Sequence, residues 1–131
     1  MLGVNLAVLE SGEPNSMYHW ETETEAFLVL SGEALLIVEG EERPLRQWDF
    51  VHCPPKTEHV IVGAGNGPCI VLAMSPRENQ AFGPYGVYTA NEVARRYGAS
   101  PEEDTQDGEV AYAHVPGSKP TRYRDGWLPS S

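Results

Sequence analysis

The chain has 131 residues, of which 9 are Lys or Arg and 19 are Asp or Glu, so its formal net charge is −10 with histidine neutral. This length fits a single domain, and a hydrophobic content of 40% predicts a globular fold. A surface this acidic repels phosphate groups and anionic lipids, which argues against nucleic acids and membranes as partners.

Two further features predict a cytoplasmic protein. No stretch of about 18 apolar residues is present that would cross a bilayer. Residues 1–10 have neither the basic region nor the small-residue cleavage site of a signal peptide. Cys53 and Cys69 lie inside apolar runs, so we expect buried, reduced thiols rather than a disulfide or a nucleophile.

The first 75 residues show the alternation that is typical of β-strands. Val4, Leu6 and Val8 are spaced by two, and further short apolar runs follow at residues 26–30, 34–38, 48–53, 59–62 and 69–74. Glu39 and Gly40 come directly after one of these runs and predict a tight hairpin turn, because glycine tolerates positive φ. Short strands separated by Gly-rich and Pro-rich segments predict an all-β sandwich or barrel.

The chain changes character after Pro76. We expect a β-barrel core over residues 1–76 and a C-terminal extension over residues 77–131 that contains a loop at residues 83–86, short helices and irregular segments. Five of the six tyrosines and Trp127 lie after residue 84. A solvated tail would not normally hold so many rings, so the extension is expected to dock on the barrel or on a partner subunit.

Two helix starts are predicted within this extension. The first places Thr89 as N-cap in a capping box with Glu92, and the helix then ends at Gly98. The second places Ser100 as N-cap with Pro101 at the first helical position.

Several ionisable residues, which are unusual in the interior of a barrel, lie just before the second apolar run. In an extended segment, residues two apart share a face, so His19 and Glu21 point the same way. A hairpin through residues 22–24 would return Glu25 beside them, and His59 would approach from the other side. Because buried carboxylates without partners are strongly unfavourable, we expect a divalent cation to bind and neutralise them.

These residues resemble the motifs of the cupin superfamily. His19, Glu21 and Glu25, followed six residues later by Gly32, are similar to the first cupin motif, and the stretch from Trp48 to His59 is similar to the second. Residues 33–47 separate the two matches. The resemblance covers roughly residues 1 to 75, and the extension looks like that of uncharacterised bacterial single-domain cupins. It implies an all-β, cupin-type double-stranded β-helix, which is a jelly-roll barrel, followed by the helical and irregular extension.

Carried over residue by residue, the resemblance assigns metal-ligand roles to His19, Glu25 and His59. Glu21 stands where the motif has its second histidine, so it is either a substituted ligand, a partner of Lys56 or an arginine, or a solvated side chain. A donor set of two imidazoles and one or two carboxylates suits Fe²⁺, Mn²⁺, Ni²⁺ or Zn²⁺ about equally, so the cofactor is a divalent transition metal of unspecified identity.

Other positions depart from the family pattern. The glycine positions of the second motif hold Trp48 and Lys56, and its closing asparagine position holds Gly63. Cupins usually have at least one strand before the point where this sequence starts. Either a shorter barrel suffices or the true start lies upstream.

Several aromatic residues and one more histidine are secondary expectations for the site. His52 is a further candidate for contact with a ligand residue or with the metal. The sequence does not determine whether its side chain points into the barrel. Trp20 and Phe27 are either packing residues or the wall of a small-molecule pocket.

The function classes that remain are separate hypotheses, because the fold does not name a reaction. One is a metal-dependent enzyme acting on a small organic molecule, such as an oxygenase or an isomerase. Another is a non-catalytic module that binds a sugar or another metabolite, with or without metal. No dedicated general acid or base beyond the ligands is evident, so no catalytic residue is assigned. The resemblance and the aromatic tail also predict a homodimer.

Overall fold

The computed structural model describes residues 2–76, 86–115, 117 and 119–129. Strands dominate this part of the chain. In order they are β1 (Leu2–Leu9), β2 (His19–Glu21), β3 (Glu25–Ser31), β4 (Glu33–Val38), β5 (Glu41–Arg46), β6 (Phe50–Cys53), β7 (His59–Ala64), β8 (Cys69–Pro76) and β9 (Gly86–Tyr88), followed by the helices α1 (Glu92–Arg95) and α2 (Gly108–Ala111).

The strands form two antiparallel sheets. The first sheet has four strands in the order β1-β8-β3-β6, and the second has five in the order β5-β4-β7-β2-β9. Neighbours in each sheet are mostly distant in sequence, as in a jelly roll. The expected all-β jelly-roll barrel is therefore confirmed. No helix in the described ranges is long and apolar enough to cross a membrane.

The core lies between the two sheets, where strands of both sheets direct apolar side chains inward. In β3, Phe27 and Val29 are buried, and Leu36 in β4 and Ile61 in β7 meet them from the second sheet. Each such side chain contributes roughly 1.5–3 kcal/mol when it is fully buried. Cys53 and Cys69 are buried free thiols in this core, as expected.

The turn predicted at Glu39 and Gly40 is confirmed. It joins β4 to β5, and the two residues have φ values of 50° and 77°. A two-residue turn with positive φ at both positions matches the right-handed twist of the strands that it connects. The sequence pattern missed β5, because five of its six residues are exposed and it reads as polar.

Two residues of the second motif have an unusual backbone conformation for residues with side chains. Trp48 and Lys56, at positions where glycine is usual, have φ values of 74° and 66°. Both residues therefore adopt the left-handed conformation that glycine provides without steric cost.

The helix starts predicted in the extension are wrong. Asn91, not Thr89, is the N-cap of α1, and its Oδ1 accepts a hydrogen bond from the Ala94 backbone N–H at 3.0 Å. Thr89 instead follows β9 directly, and its N–H donates to the carbonyl of Tyr18. The turns after α1 do end at Gly98, as predicted, and this glycine has φ 67°.

No helix begins at Ser100 within the described residues. Its Oγ accepts a hydrogen bond from the Asn91 N–H at 2.9 Å and so supports the start of α1. Asp107 is the N-cap of α2, where its carboxylate accepts from the Glu109 N–H. The predicted loop at residues 83–86 lies outside the described residues except for Gly86, which begins β9.

Candidate metal centre

The two histidines of the motifs lie side by side on neighbouring strands. His19 in β2 and His59 in β7 are direct partners in the antiparallel register, and their ring centroids are 4.8 Å apart. Paired residues in an antiparallel sheet point to the same face. Both rings therefore point into the space between the sheets, where His59 is 2% exposed.

Glu25 reaches these rings from the opposite sheet. It begins β3, which pairs with β6 and β8, whereas β2 pairs with β7 and β9. The predicted hairpin through residues 22–24 is therefore wrong, because these residues cross from one sheet to the other. The sequence also predicted that Glu25 would lie beside His19 and that His59 would approach from the other side. In the structure, His59 lies next to His19, and Glu25 approaches from across the barrel.

The crossing brings three donor atoms to one point. Glu25 Oε1 lies 3.2 Å from His19 Nε2 and 3.0 Å from His59 Nε2. One ligand atom from each of the three residues lies within 4.8 Å of the others. Glu21 Oε1 lies 3.2 Å from His19 Nε2, so the expectation that residues 19 and 21 share a face is confirmed.

The backbone fixes the tautomer of both rings. His19 Nδ1 lies 2.8 Å from the carbonyl oxygen of Met17, and His59 Nδ1 lies 2.8 Å from that of Thr57. A carbonyl oxygen only accepts, so each Nδ1 carries the proton and donates. Each Nε2 is then the atom left to face Glu25, which is the arrangement seen around metal-bound histidines.

The buried carboxylates control the charge of the rings. Burial lowers the pKa of His19, but hydrogen bonds to Glu21 and Glu25 outweigh it and raise the pKa to about 9. Burial also lowers the pKa of His59, and the Cys53 thiol and Glu25 outweigh it and raise the pKa to about 10. Burial raises the pKa of Glu25, but the two imidazoles lower it to about 2.

The arrangement fits a divalent transition metal. His59 Nε2 is buried and makes no hydrogen bond of normal geometry, although Glu25 Oε1 is only 3.0 Å away. One donor atom of each of the three residues converges on the same place, and a donor set of two imidazoles and a carboxylate suits that class of metal.

The secondary expectations have different outcomes. Phe27 lies against the centre, with its ring centroid 5.7 Å from that of His59. The structure does not bring Trp20 to the cluster, because it alternates with His19 along β2. His52 is exposed on β6, where its Nε2 lies 2.6 Å from Thr24 Oγ1.

An open cleft of about 1270 Å³ leads to Glu25. Its wall combines amide, hydroxyl and aromatic side chains from the barrel and from the extension. Asn5, Asn15, Phe27, Tyr112 and Trp127 are among the residues that line it. Such a mixture suits a small molecule that offers both an apolar face and hydrogen-bonding groups.

Sequence reasoning missed three residues beside the centre. Tyr88 in β9 has its ring 5.9 Å from that of His19, and the Tyr112 ring packs on Tyr88 at 5.6 Å. The Tyr112 hydroxyl also accepts a hydrogen bond from the Met17 N–H. Cys53 is the register partner of Glu25. The clustering of tyrosines after residue 84 was the one sequence feature that pointed to Tyr88 and Tyr112. It did not indicate where on the barrel these side chains pack.

Fold and centre together define a jelly-roll barrel with a cluster of histidines and a carboxylate between its sheets. Residues 5–75 match the cupin domain family, and the chain belongs to this family. The resemblance to cupins is thereby confirmed.

Known proteins are similar to this chain over the barrel. An uncharacterised protein of Methanocaldococcus jannaschii is 29% identical over 69 residues, which are 53% of this chain and 55% of that protein. A crystal structure from Acidithiobacillus ferrooxidans, provisionally described as a sugar phosphate isomerase, is 31% identical with a TM-score of 0.58. The match covers 66% of this chain and 53% of the Acidithiobacillus chain.

A second crystal structure, of a cupin-superfamily sugar phosphate isomerase from Silicibacter pomeroyi, is 26% identical with a TM-score of 0.57. The match covers 66% of this chain and 54% of that one. This chain therefore spans about half the length of these relatives. The similarity places the barrel among cupins that include proteins described as sugar phosphate isomerases.

Proposed function

We propose that this cupin holds a divalent transition metal through His19, Glu25 and His59 and uses that centre to bind or transform a small organic molecule. Glu21 is proposed as a fourth, weaker ligand, because its carboxylate lies 3.2 Å from His19 Nε2. The observation that carries the proposal is the buried Nε2 of His59, which lacks a hydrogen bond and faces a carboxylate and a second imidazole.

Each residue of the centre has a distinct task. The carbonyls of Met17 and Thr57 hold the two rings so that their Nε2 atoms face the centre. Glu25 brings negative charge from the opposite sheet and balances the cation. When bound, the metal acts as a Lewis acid that polarises an oxygen of the ligand.

The cleft favours a hydroxylated molecule with little negative charge. Lys119 is the one cationic side chain among the described residues of its wall, whereas Glu13 and Glu25 are both acidic. Aromatic rings and side-chain amides, which the wall supplies, stack on and hydrogen-bond to sugars and similar polyols. The sugar phosphate isomerases among the similar structures support an isomerase of a sugar as the leading activity, but the two carboxylates and one lysine of the cleft do not favour a phosphate group on that sugar.

Elemental analysis of protein purified without chelator tests the metal directly. We expect about one metal ion per chain in the parent protein and near-complete loss in Glu25→Gln and His59→Ala, because each variant removes a central ligand. His114→Ala is the matched control, since His114 is an exposed histidine that contacts Glu102. Metal retained in both ligand variants, or lost equally in the control, contradicts the proposed centre.

One observation favours a second candidate, a metal-free binding module. Two carboxylates, Glu21 and Glu25, already face the two imidazoles, whose pKa values of about 9 and about 10 keep them cationic near neutral pH. The cluster is therefore electrically balanced without an ion. A folded parent protein that takes up no Fe²⁺, Mn²⁺, Ni²⁺ or Zn²⁺ in equilibrium dialysis supports this module.

A further inference from the structure

The strand that carries His19 is held by the C-terminal extension as well as by the barrel. β2 pairs with β7 of the barrel at one register position, where His19 faces His59. It pairs with β9 of the extension at three positions, and the first of these joins His19 to Tyr88. The extension therefore supplies more of the register pairs that place His19 than the barrel does.

The two residues before β2 are also bonded to the extension. The Met17 N–H donates to the Tyr112 hydroxyl at 3.2 Å. The Tyr18 N–H donates to the Ala99 carbonyl at 2.7 Å, and the Thr89 N–H donates to the Tyr18 carbonyl at 3.0 Å. Met17 and Tyr18 are 1% and 0% exposed, so water cannot replace a partner that is removed. Loss of one of these bonds would leave a buried amide or carbonyl unsatisfied.

Tyr112, the C-cap of α2, reaches His19 by two routes. Its hydroxyl holds Met17, whose carbonyl oxygen lies 2.8 Å from His19 Nδ1 and accepts its proton. Its ring packs edge-to-face on Tyr88 at 5.6 Å, and the Tyr88 ring lies 5.9 Å from that of His19. One side chain thus supports both the hydrogen-bond acceptor of the imidazole and the ring that lies against it.

His59 is supported differently. Its Nδ1 lies 2.8 Å from the Thr57 carbonyl oxygen, and its ring packs edge-on against Phe27 at 5.7 Å. Both of these contacts come from the barrel. The two imidazoles of the centre therefore have different supports, and His59 serves as an internal reference for His19.

We propose that Tyr112 is a positioning residue of the metal centre that sets the orientation of His19. It acts through the Met17 carbonyl and the Tyr88 ring, and so it keeps the His19 Nε2 facing Glu25. The importance of this orientation for metal binding rests on the proposed function, whereas the orientation itself belongs to the chain with or without metal. Tyr112 lies outside residues 5–75, which match the cupin domain, so this support comes from the extension.

Tyr112→Phe tests the proposal, because it removes the hydroxyl and keeps the ring. Nuclear magnetic resonance of the full chain, free of metal and loaded with Zn²⁺, measures solvent exchange of the two Nδ1–H protons. We expect exchange at His19 to become about five- to tenfold faster and exchange at His59 to stay unchanged. Competition with a chromophoric chelator should show Zn²⁺ affinity about tenfold lower, the low end of the range for partners of ligating histidines.

Tyr97→Phe is the matched control. The Tyr97 hydroxyl also bonds the extension to the barrel, where it donates to the Glu42 carboxylate on β5. This variant should leave the exchange of both Nδ1–H protons and the Zn²⁺ affinity at the parent values. Circular dichroism of each variant reports on the fold.

Four outcomes overturn the proposal. They are unchanged exchange at His19 in Tyr112→Phe, equal acceleration at His19 and His59, the same acceleration at His19 in Tyr97→Phe, and faster exchange with unchanged Zn²⁺ affinity. A parent that binds no Zn²⁺ contradicts the proposed function instead, and exchange in the metal-free chain then decides the role of Tyr112.

The parent protein provides a second test if Tyr112→Phe does not fold. If Tyr112 holds Met17 and thereby His19, one opening of the extension exposes the Met17 amide and the His19 Nδ1–H together. We therefore expect equal protection of these two protons from exchange. Clearly different protection factors contradict the proposal.

Discussion

The two buried imidazoles differ from a pair of ordinary core histidines. Each Nδ1 donates to a backbone carbonyl two residues earlier, so each Nε2 faces Glu25, and the Nε2 of His19 also faces Glu21. The backbone of two neighbouring strands therefore sets the orientation of the centre. Glu21 is different, because its side chain is 22% exposed and contacts only one of the rings. Glu25 is similarly shielded, at 15% exposed, but contacts both rings, so we expect it to contribute more to metal affinity than Glu21.

Glu21→Gln should weaken metal binding about tenfold, whereas Glu25→Gln should weaken it by more than about a hundredfold. A carboxylate that contacts one imidazole contributes less than a carboxylate shared by two imidazoles. Competition titration against a chromophoric chelator measures both affinities. Equal losses in the two variants would show that Glu21 is a full ligand.

Cys69 gives a stability change of definite sign with pH. Burial raises the pKa of its thiol from 9.0 to about 11, so the folded state disfavours the thiolate. The resulting stability is fully present below about pH 9 and is lost as pH rises from about 9 to about 11, by about 2 kcal/mol. Urea unfolding of the parent and of Cys69→Ala should therefore show that the difference between their unfolding free energies shrinks over this window. A constant difference contradicts the prediction.

At the level of elements, close backbone contacts decide which motif positions accept a side chain. Gly32 joins β3 to β4 with φ 77°, and a Cβ there would lie 2.6 Å from the carbonyl oxygen of Pro68. Trp48 and Lys56 are also left-handed, yet they carry side chains. Gly32, the glycine of the first motif, is therefore required by packing as well as by its positive φ. The corresponding positions of the second motif, Trp48 and Lys56, accept side chains.

Gly32→Ala should lower the unfolding free energy by about 2–4 kcal/mol, which combines left-handed strain with a clash against backbone. Gly12→Ala is the control, because Gly12 has φ 83° but no neighbouring atom within 4 Å of the position that a Cβ would take. It should cost only about 1–2 kcal/mol. Urea denaturation of both variants measures the difference, and equal costs would remove the packing argument.

At the level of the whole molecule, the centre links the two sheets. His19 and His59 belong to the five-stranded sheet, and Glu25 belongs to the four-stranded one. An ion held by all three would connect the sheets across the core. The extension adds to the five-stranded sheet through β9, which pairs with His19 and its neighbours.

Saturating divalent metal should therefore raise the melting temperature. At a free concentration about one hundred times the dissociation constant, binding to the native state alone adds about 2.7 kcal/mol, or about 5–10 °C for a domain of this size. Differential scanning calorimetry of the parent and of Glu25→Gln, each with and without metal, measures this. The same rise in the variant would locate the stabilising ion elsewhere.

The sequence by itself determined the all-β class, the turn at Glu39 and Gly40, the buried thiols and the three residues that meet at the centre. The first three features follow from alternation with period two, from local turn chemistry and from the apolar runs around the cysteines, whereas the three residues were implied by the resemblance to the cupin motifs. The tertiary structure decided that β2 and β3 belong to different sheets, so that Glu25 reaches the histidines from across the barrel. It also decided that β1, β8, β3 and β6 lie together in one sheet although they are distant in the sequence. Local periodicity gives each strand two faces, but only long-range pairing determines which strands lie together and what each face meets.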